Sequence, residues 1–233
     1  MRLIASGTIG VPDNALALYM SVRQACKDYA SSVGLLLLGQ HGRQPLMAVA
    51  SRRRAHEDIV ADLVADAVAT EPLAAIEEEM VSSDIALAHH AAAWHLIPHQ
   101  RSLRHVDSGF FGSRFDPLGG VYPRLQRLDP GVIAGIGVVL RPTLVGARSR
   151  VSVTSFGLAA SADQARAVAH RLADAYAAVG VRPYVSAAPR RSIDDVLSAR
   201  LRVWRSRIRL PEEVSAIWHP PYDVQPPAAR RKA

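Results

Sequence analysis

VIAGIGVVL at residues 132–140 and RVSVTSFGL at residues 150–158 set the reading of this chain. The first run, without a polar side chain, reads as a strand. The second alternates Val151 and Val153 with Ser152 and Thr154, the period of a strand. Pro142 and Gly146 mark a turn between them, so the two runs read as a hairpin. Downstream, Ser161 caps a helix to residue 179, striped by Ala165, Val168, Leu172 and Tyr176. Gly180 stops that helix, and residues 182–187 return as a strand. Upstream, residues 99–106 read as a strand. Asp116-Pro117 then opens a helix along Leu118, Val121, Leu125 and Leu128, which Gly119, Gly120 and Pro123 weaken.

The same order runs through the first part of the chain. Residues 1–10 form a short strand, and Asp13 or Asn14 caps a helix along Ala15, Leu18, Val22, Ala25 and Tyr29. VGLLLL at residues 33–38 pairs with LMAVA at 46–50 across the turn residues Gly39 and Gly42. A helix over 54–68 carries Ile59, Leu63 and Ala67 on one stripe with Val60 and Val64 beside it, and residues 73–81 follow as a fourth strand. The expected fold is therefore α+β: two tandem ferredoxin-like (βαββαβ) units and a C-terminal helical extension. The first half spans residues 1–83, a connecting and partly helical segment 84–98, the second half 99–188, and the extension 189–233. In the extension, residues 193–208 read as a helix with Arg200, Arg202, Arg205 and Arg207 on its exposed side. Pro211-Glu212-Glu213 opens a short helix that Pro220-Pro221 ends, and residues 225–233 form a Pro- and Arg-rich disordered tail.

Composition narrows the function. The chain has 233 residues, 49% hydrophobic residues and a net charge of +7 from 28 Lys+Arg against 21 Asp+Glu. That balance favours an acidic partner: nucleic acid, an anionic membrane face or an acidic protein surface. Arg200, Arg202, Arg205 and Arg207 are the expected polyanion contacts. Cys26 is the sole cysteine, so no internal disulfide can form and a reducing, cytoplasmic compartment is expected. Neither a signal peptide nor a run of about 18 apolar residues is present, which leaves peripheral association as the expected form of any membrane contact. Only Lys27 and Lys232 are lysines, and neither lies in a GxxxxGK[ST] loop, so the chain cannot be a P-loop NTPase by itself.

The remaining catalytic patterns are incomplete. His89, His90, His95 and His99 cluster, and His95 and His99 could share a zinc ion on a helix, yet no third ligand stands nearby. HHAAAW at 89–94 resembles the HHxxxD motif of condensation-type acyltransferases but has Trp94 at the aspartate. No GxSxG elbow occurs, and Glu77, Glu78 and Glu79 read as a solvated edge. Phe110 and Phe111 read as packing residues. No cofactor, metal or catalytic residue is expected.

FDPL at 115–118, followed by a helix and VVLRP at 138–142, resembles a recurring element. It lies ahead of the motor domain in the DNA-translocating ATPases of conjugation and type IV secretion-like systems. LPEEVSAIWHP at 210–220 is similar to a second element of that region. The resemblance covers roughly residues 16–221 and includes none of the motor's nucleotide-binding residues. It implies a non-catalytic docking or assembly module whose partner is a motor ATPase or another secretion-system component. Leu210, Ile217, Trp218 and His219 are then the docking residues. Two alternatives stand beside it. One is a basic nucleic-acid-binding protein, although neither central strand carries the aromatic pattern of an RNA-binding sheet. The other is an enzyme on a ferredoxin-like scaffold.

Overall fold

Seven consecutive buried residues, Val33–Gly39, form strand β2, and β2 is the seam of the molecule. On one side it pairs antiparallel with β3 (Leu46–Ser51), on the other with β5 (Ile133–Pro142), in the register Val33↔Leu140 to Gly39↔Ala134. The fold was obtained as a computed structural model, which describes residues 1–4, 7–9, 12–42, 45–68, 81, 83–85, 88–97, 118–177, 182–185 and 189–222. It is a mixed α+β architecture on one antiparallel sheet in the order β1-β3-β2-β5-β6-β4-β7, with β8 paired to β6. The other strands are β1 (Arg2–Ile4), β4 (His90–Ile97), β6 (Ser149–Ala159), β7 (Arg182–Val185) and β8 (Arg207–Arg209). The helices are α1 (Pro12–Asp28), α2 (Arg54–Val68), α3 (Tyr122–Leu125), α4 (Ala162–Ala177), α5 (Pro189–Leu197) and α6 (Pro211–Ile217).

Period-two alternation sorts the strand residues into two cores. Val33, Leu35 and Leu37 of β2, Met47 and Val49 of β3, and Ile136, Val138 and Leu140 of β5 face the larger core beneath α1, α2, α3, α4 and α6. Leu36 and Leu38, Ala48 and Ala50, and Val139 face the smaller core, which α5 closes with Ile193 and Val196. Two glycines set how closely α5 approaches. A Cβ on Gly34 would stand 2.3 Å from the Val196 carbonyl oxygen, and one on Gly137 2.4 Å from Val196 Cγ1.

Several expectations need correction. Residues 84–98 do not join the halves as a helix; they supply β4, an inner strand between β6 and β7. The alanines at 91–93 favour helix in isolation, but pairing on both edges overrides that preference; Ala92 lies against α4, where Trp94 packs with Ala169 and Ala173, while Ala91 and Ala93 face the smaller core. Most of the expected strand 73–81 lies outside the described residues. Its last residue, Val81, is helical, and with Ile85 one turn on it is buried in the smaller core. The expected strand 99–106 and the tail 225–233 also lie outside them. Leu118, Val121, Leu125 and Leu128 are buried as a stripe should be, although only Tyr122–Leu125 is helical. The helix expected over 193–208 ends at Leu197. There Ala199 adopts a left-handed φ of 51°, and Arg200 N–H donates to the Asp195 carbonyl at 2.6 Å. A 3-10 turn (Val203–Arg205) and β8 follow.

Candidate docking surface and the polar cluster beneath it

The early end of α5 removes the four arginines from any common stripe. Arg200 and Arg207 are exposed, whereas Arg202 and Arg205 are half-buried and turn inward. Arg202 grips Asp195 with Nη2 on Oδ1 at 2.9 Å and Nε on Oδ2. Arg205 Nη1 donates to Ser192 Oγ at 2.6 Å and to His95 Nε2 at 3.1 Å. The His95 ring completes the cluster, with Nδ1 3.2 Å from Thr154 Oγ1. An arginine can only donate, so Nε2 accepts and the proton of the neutral ring sits on Nδ1.

Ser192 Oγ lies 3.0 Å from His95 Nε2, the spacing of a nucleophile and its base. The surroundings disarm the pair. Arg205 occupies the same lone pair, the third group is a threonine hydroxyl rather than a carboxylate, and the free space is about 10 Å³, less than a substrate group needs. Burial, reinforced by the Arg205 charge, pushes the His95 pKa down to about 4. His95, which with His99 could share a zinc ion on a helix, lies instead on a strand within this cluster, and His99 falls outside the described residues. Among the described residues no three His, Cys, Asp or Glu side chains converge on a point.

The lowered pKa predicts a pH dependence. The unfolded imidazole takes up a proton below about 6.5, the folded one only near 4. Between these values the unfolded state holds more protons, so stability is lost as pH falls through that window and regained as it rises. Urea titrations at pH 7 and pH 4.5 should show wild type losing about 2–3 kcal/mol more than His95→Gln. Equal losses in the two proteins would mean that His95 titrates normally.

Held from inside by these bonds, the 3-10 turn presents its other side chains to solvent. Trp204 is 63% exposed, Val203 equally so, and the Arg205 guanidinium stacks 4.2 Å from the Trp204 ring centroid. Ile208 on β8 is also exposed. This Trp–Arg surface was missed in the sequence because residues 193–208 were read as one helix. The signal was present: Val203-Trp204 places two adjacent large apolar residues inside an arginine-rich run.

The expected docking residues are elsewhere and inside. Ile217, Trp218 and His219 are buried and Leu210 is half-buried. The segment straps both halves: Tyr176 Oη donates to the Ile217 carbonyl at 3.2 Å, Tyr122 Oη to the His219 carbonyl, and Ile9 N–H to the Pro221 carbonyl at 2.7 Å. The buried Arg209–Glu213 pair, 3.6 Å apart, and the Leu210 N–H to Glu213 bond at 2.8 Å lock its start. Ile217, Trp218 and His219 therefore hold the strap to the body, with Leu210 half-buried at its start.

No protein-family model matches the chain, and no curated protein matches it. Among solved structures it is similar to 6-hydroxy-D-nicotine oxidase from Arthrobacter nicotinovorans, at 11% identity with a TM-score of 0.36. The match covers 81% of this chain and 44% of that one, so the chain spans less than half the length of the structure it matches. Among the described residues no helix is long and apolar enough to cross a membrane.

Proposed function

We propose that the chain is a non-catalytic docking module of a conjugation or type IV secretion-like DNA-translocase system, built from two tandem βαββαβ units and working in the cytoplasm. Support for the tandem reading comes from the strand order. β7-β4-β6-β5 is the arrangement of a βαββαβ sheet, and β1-β3-β2 with α1 and α2 matches all but the last strand of a second one. The observation that carries the docking reading is Trp204. It is a large aromatic held in solvent on a turn whose two inward arginines are tied to Asp195, Ser192 and His95. A rigid, pre-organised aromatic beside an arginine is the composition of an interface hot spot. The resemblance to the region ahead of translocase motors supplies the partner class, a motor ATPase.

The test mixes the purified chain with the motor ATPase of the same system. A complex is expected by size-exclusion chromatography, and Trp204→Ala should weaken it about tenfold or more while leaving the unfolding midpoint unchanged. Full retention of binding by that variant, or the lack of any motor ATPase gene near this one, would overturn the reading. Exposed Arg200 and Arg207, which flank Trp204 in the sequence, favour a second reading, sequence-independent contact with single-stranded DNA, whose affinity would fall steeply with salt.

A further inference from the structure

A second surface, separate from Trp204, sits at the turn joining β5 and β6. Leu144 is 101% exposed and Val145 86%, side by side at the tip. The turn beneath them is built. Thr143 N–H donates to the Arg148 carbonyl at 3.1 Å, and Thr143 Oγ1 lies 2.9 Å from both that carbonyl and the Val145 carbonyl. Arg23 of α1 donates to the Gly146 carbonyl, fixing the turn to the body, and Gly146 takes a φ of +73° that a side chain would strain. Nothing in this geometry uses the two aliphatic side chains.

Their surroundings are basic. Arg148 follows in the turn and is exposed. In the next rank of the sheet Arg141, Arg150 and Ile208 stand side by side on one face, by the pairings Arg141↔Arg150 and Arg150↔Ile208. No acidic residue occurs between positions 130 and 160. The acids of the nearby α6 start are Glu213, paired with Arg209, and the exposed Glu212. Phosphate contacts with nucleic acid would leave the two aliphatic side chains without an apolar partner, and an acidic protein would need a socket for them. An anionic bilayer satisfies both features at once: hydrocarbon for the tip, phosphates for the arginines.

We propose that the β5–β6 turn is a membrane-contact tip, with Leu144 and Val145 entering the headgroup–acyl boundary of an anionic bilayer while Arg141, Arg148 and Arg150 lie on its phosphates. The inference rests on the tip alone and does not depend on the docking role of Trp204.

Co-sedimentation with vesicles of equal parts phosphatidylglycerol and phosphatidylcholine tests it. Wild type should bind these and not vesicles of phosphatidylcholine alone. The double variant Leu144→Asp/Val145→Asp should lose about tenfold or more in partitioning, with an unchanged thermal transition, because both side chains face solvent. Arg141→Ala/Arg148→Ala should lose about tenfold as well. Absence of wild-type binding, or an aspartate variant that sediments like wild type, overturns the proposal. So does the finding that the aspartate variant instead loses single-stranded DNA or the motor ATPase while vesicles bind neither protein. An aspartate variant that leaves vesicles yet keeps the motor ATPase separates this proposal from the docking reading.

Discussion

Trp218→Ala is expected to lower the unfolding midpoint by about 10 °C, corresponding to about 4 kcal/mol for a chain of this size. The α6 helix has seven residues, too short to persist without packing. Its anchors are Ile217 and Trp218, which join Tyr222, Val214 and the apolar face of α1 in the larger core. Trp218 is 5% exposed, so truncation leaves a cavity the size of an indole in the seam between α6 and the body. Residues 9 and 222 form a parallel bridge at the end of the strap, so loosening Trp218 also slackens the N-terminal crossing. Calorimetry distinguishes this from a detachable lid: a single cooperative transition should move as a whole. A shift under about 2 °C would mean that the strap peels off without disturbing the core. Trp218→Phe should recover most of the loss, because the buried indole N–H has no hydrogen-bond partner among the described residues to forfeit.

Gly34→Ala should destabilise by about 3 kcal/mol, near the upper end for overpacking, because the new methyl meets a backbone atom. Its Cβ would lie 2.3 Å from the Val196 carbonyl oxygen, and that carbonyl cannot rotate away without moving α5. Gly137→Ala meets the side chain of the same valine, at 2.4 Å from Cγ1, and should be milder. The contrast gives a clean experiment. Val196→Ala should rescue Gly137→Ala and leave Gly34→Ala unrescued in urea titrations. If Val196→Ala rescued both, the contact that seats α5 would be the valine side chain and not its backbone. Displacing α5 also moves Ser192 and Asp195, which tether Arg205 and Arg202. Gly34→Ala should therefore weaken whatever Trp204 binds, although it lies far from it in sequence.

The strongly patterned elements were legible as they stood. VGLLLL at 33–38 and VIAGIGVVL at 132–140 are strands because continuous apolar runs of that length suit a sheet covered on both faces. The helix over 54–68 has the bounds its periodicity predicts, although its buried face is Val60, Val64 and Val68 while Ile59 is exposed, and Ser161 receives the Gln164 N–H at 3.2 Å as a capping residue should. Reading failed where local preference and tertiary setting disagree. HAAAWHLI at 90–97 looks helical or linking by composition, and becomes a strand because β6 and β7 offer hydrogen bonds on both edges.

Sequence by itself determined the strands at 33–38, 46–50, 132–140 and 150–158, the helices over 54–68 and after Ser161, the basic charge and the absence of a phosphate loop, since each follows from residue type and spacing within one segment. Tertiary structure alone decided which arginines are spent inside and which tryptophan is left outside. Arg202 and Arg205 turn inward because Asp195, Ser192 and His95, the last about a hundred positions away, converge beneath them. Trp218, expected as a docking residue, is buried because α1 and the strap close over it, whereas Trp204 stays in solvent on the 3-10 turn that follows α5. Burial is a property of what packs against a side chain, and those neighbours are set by pairings between segments that no local pattern encodes.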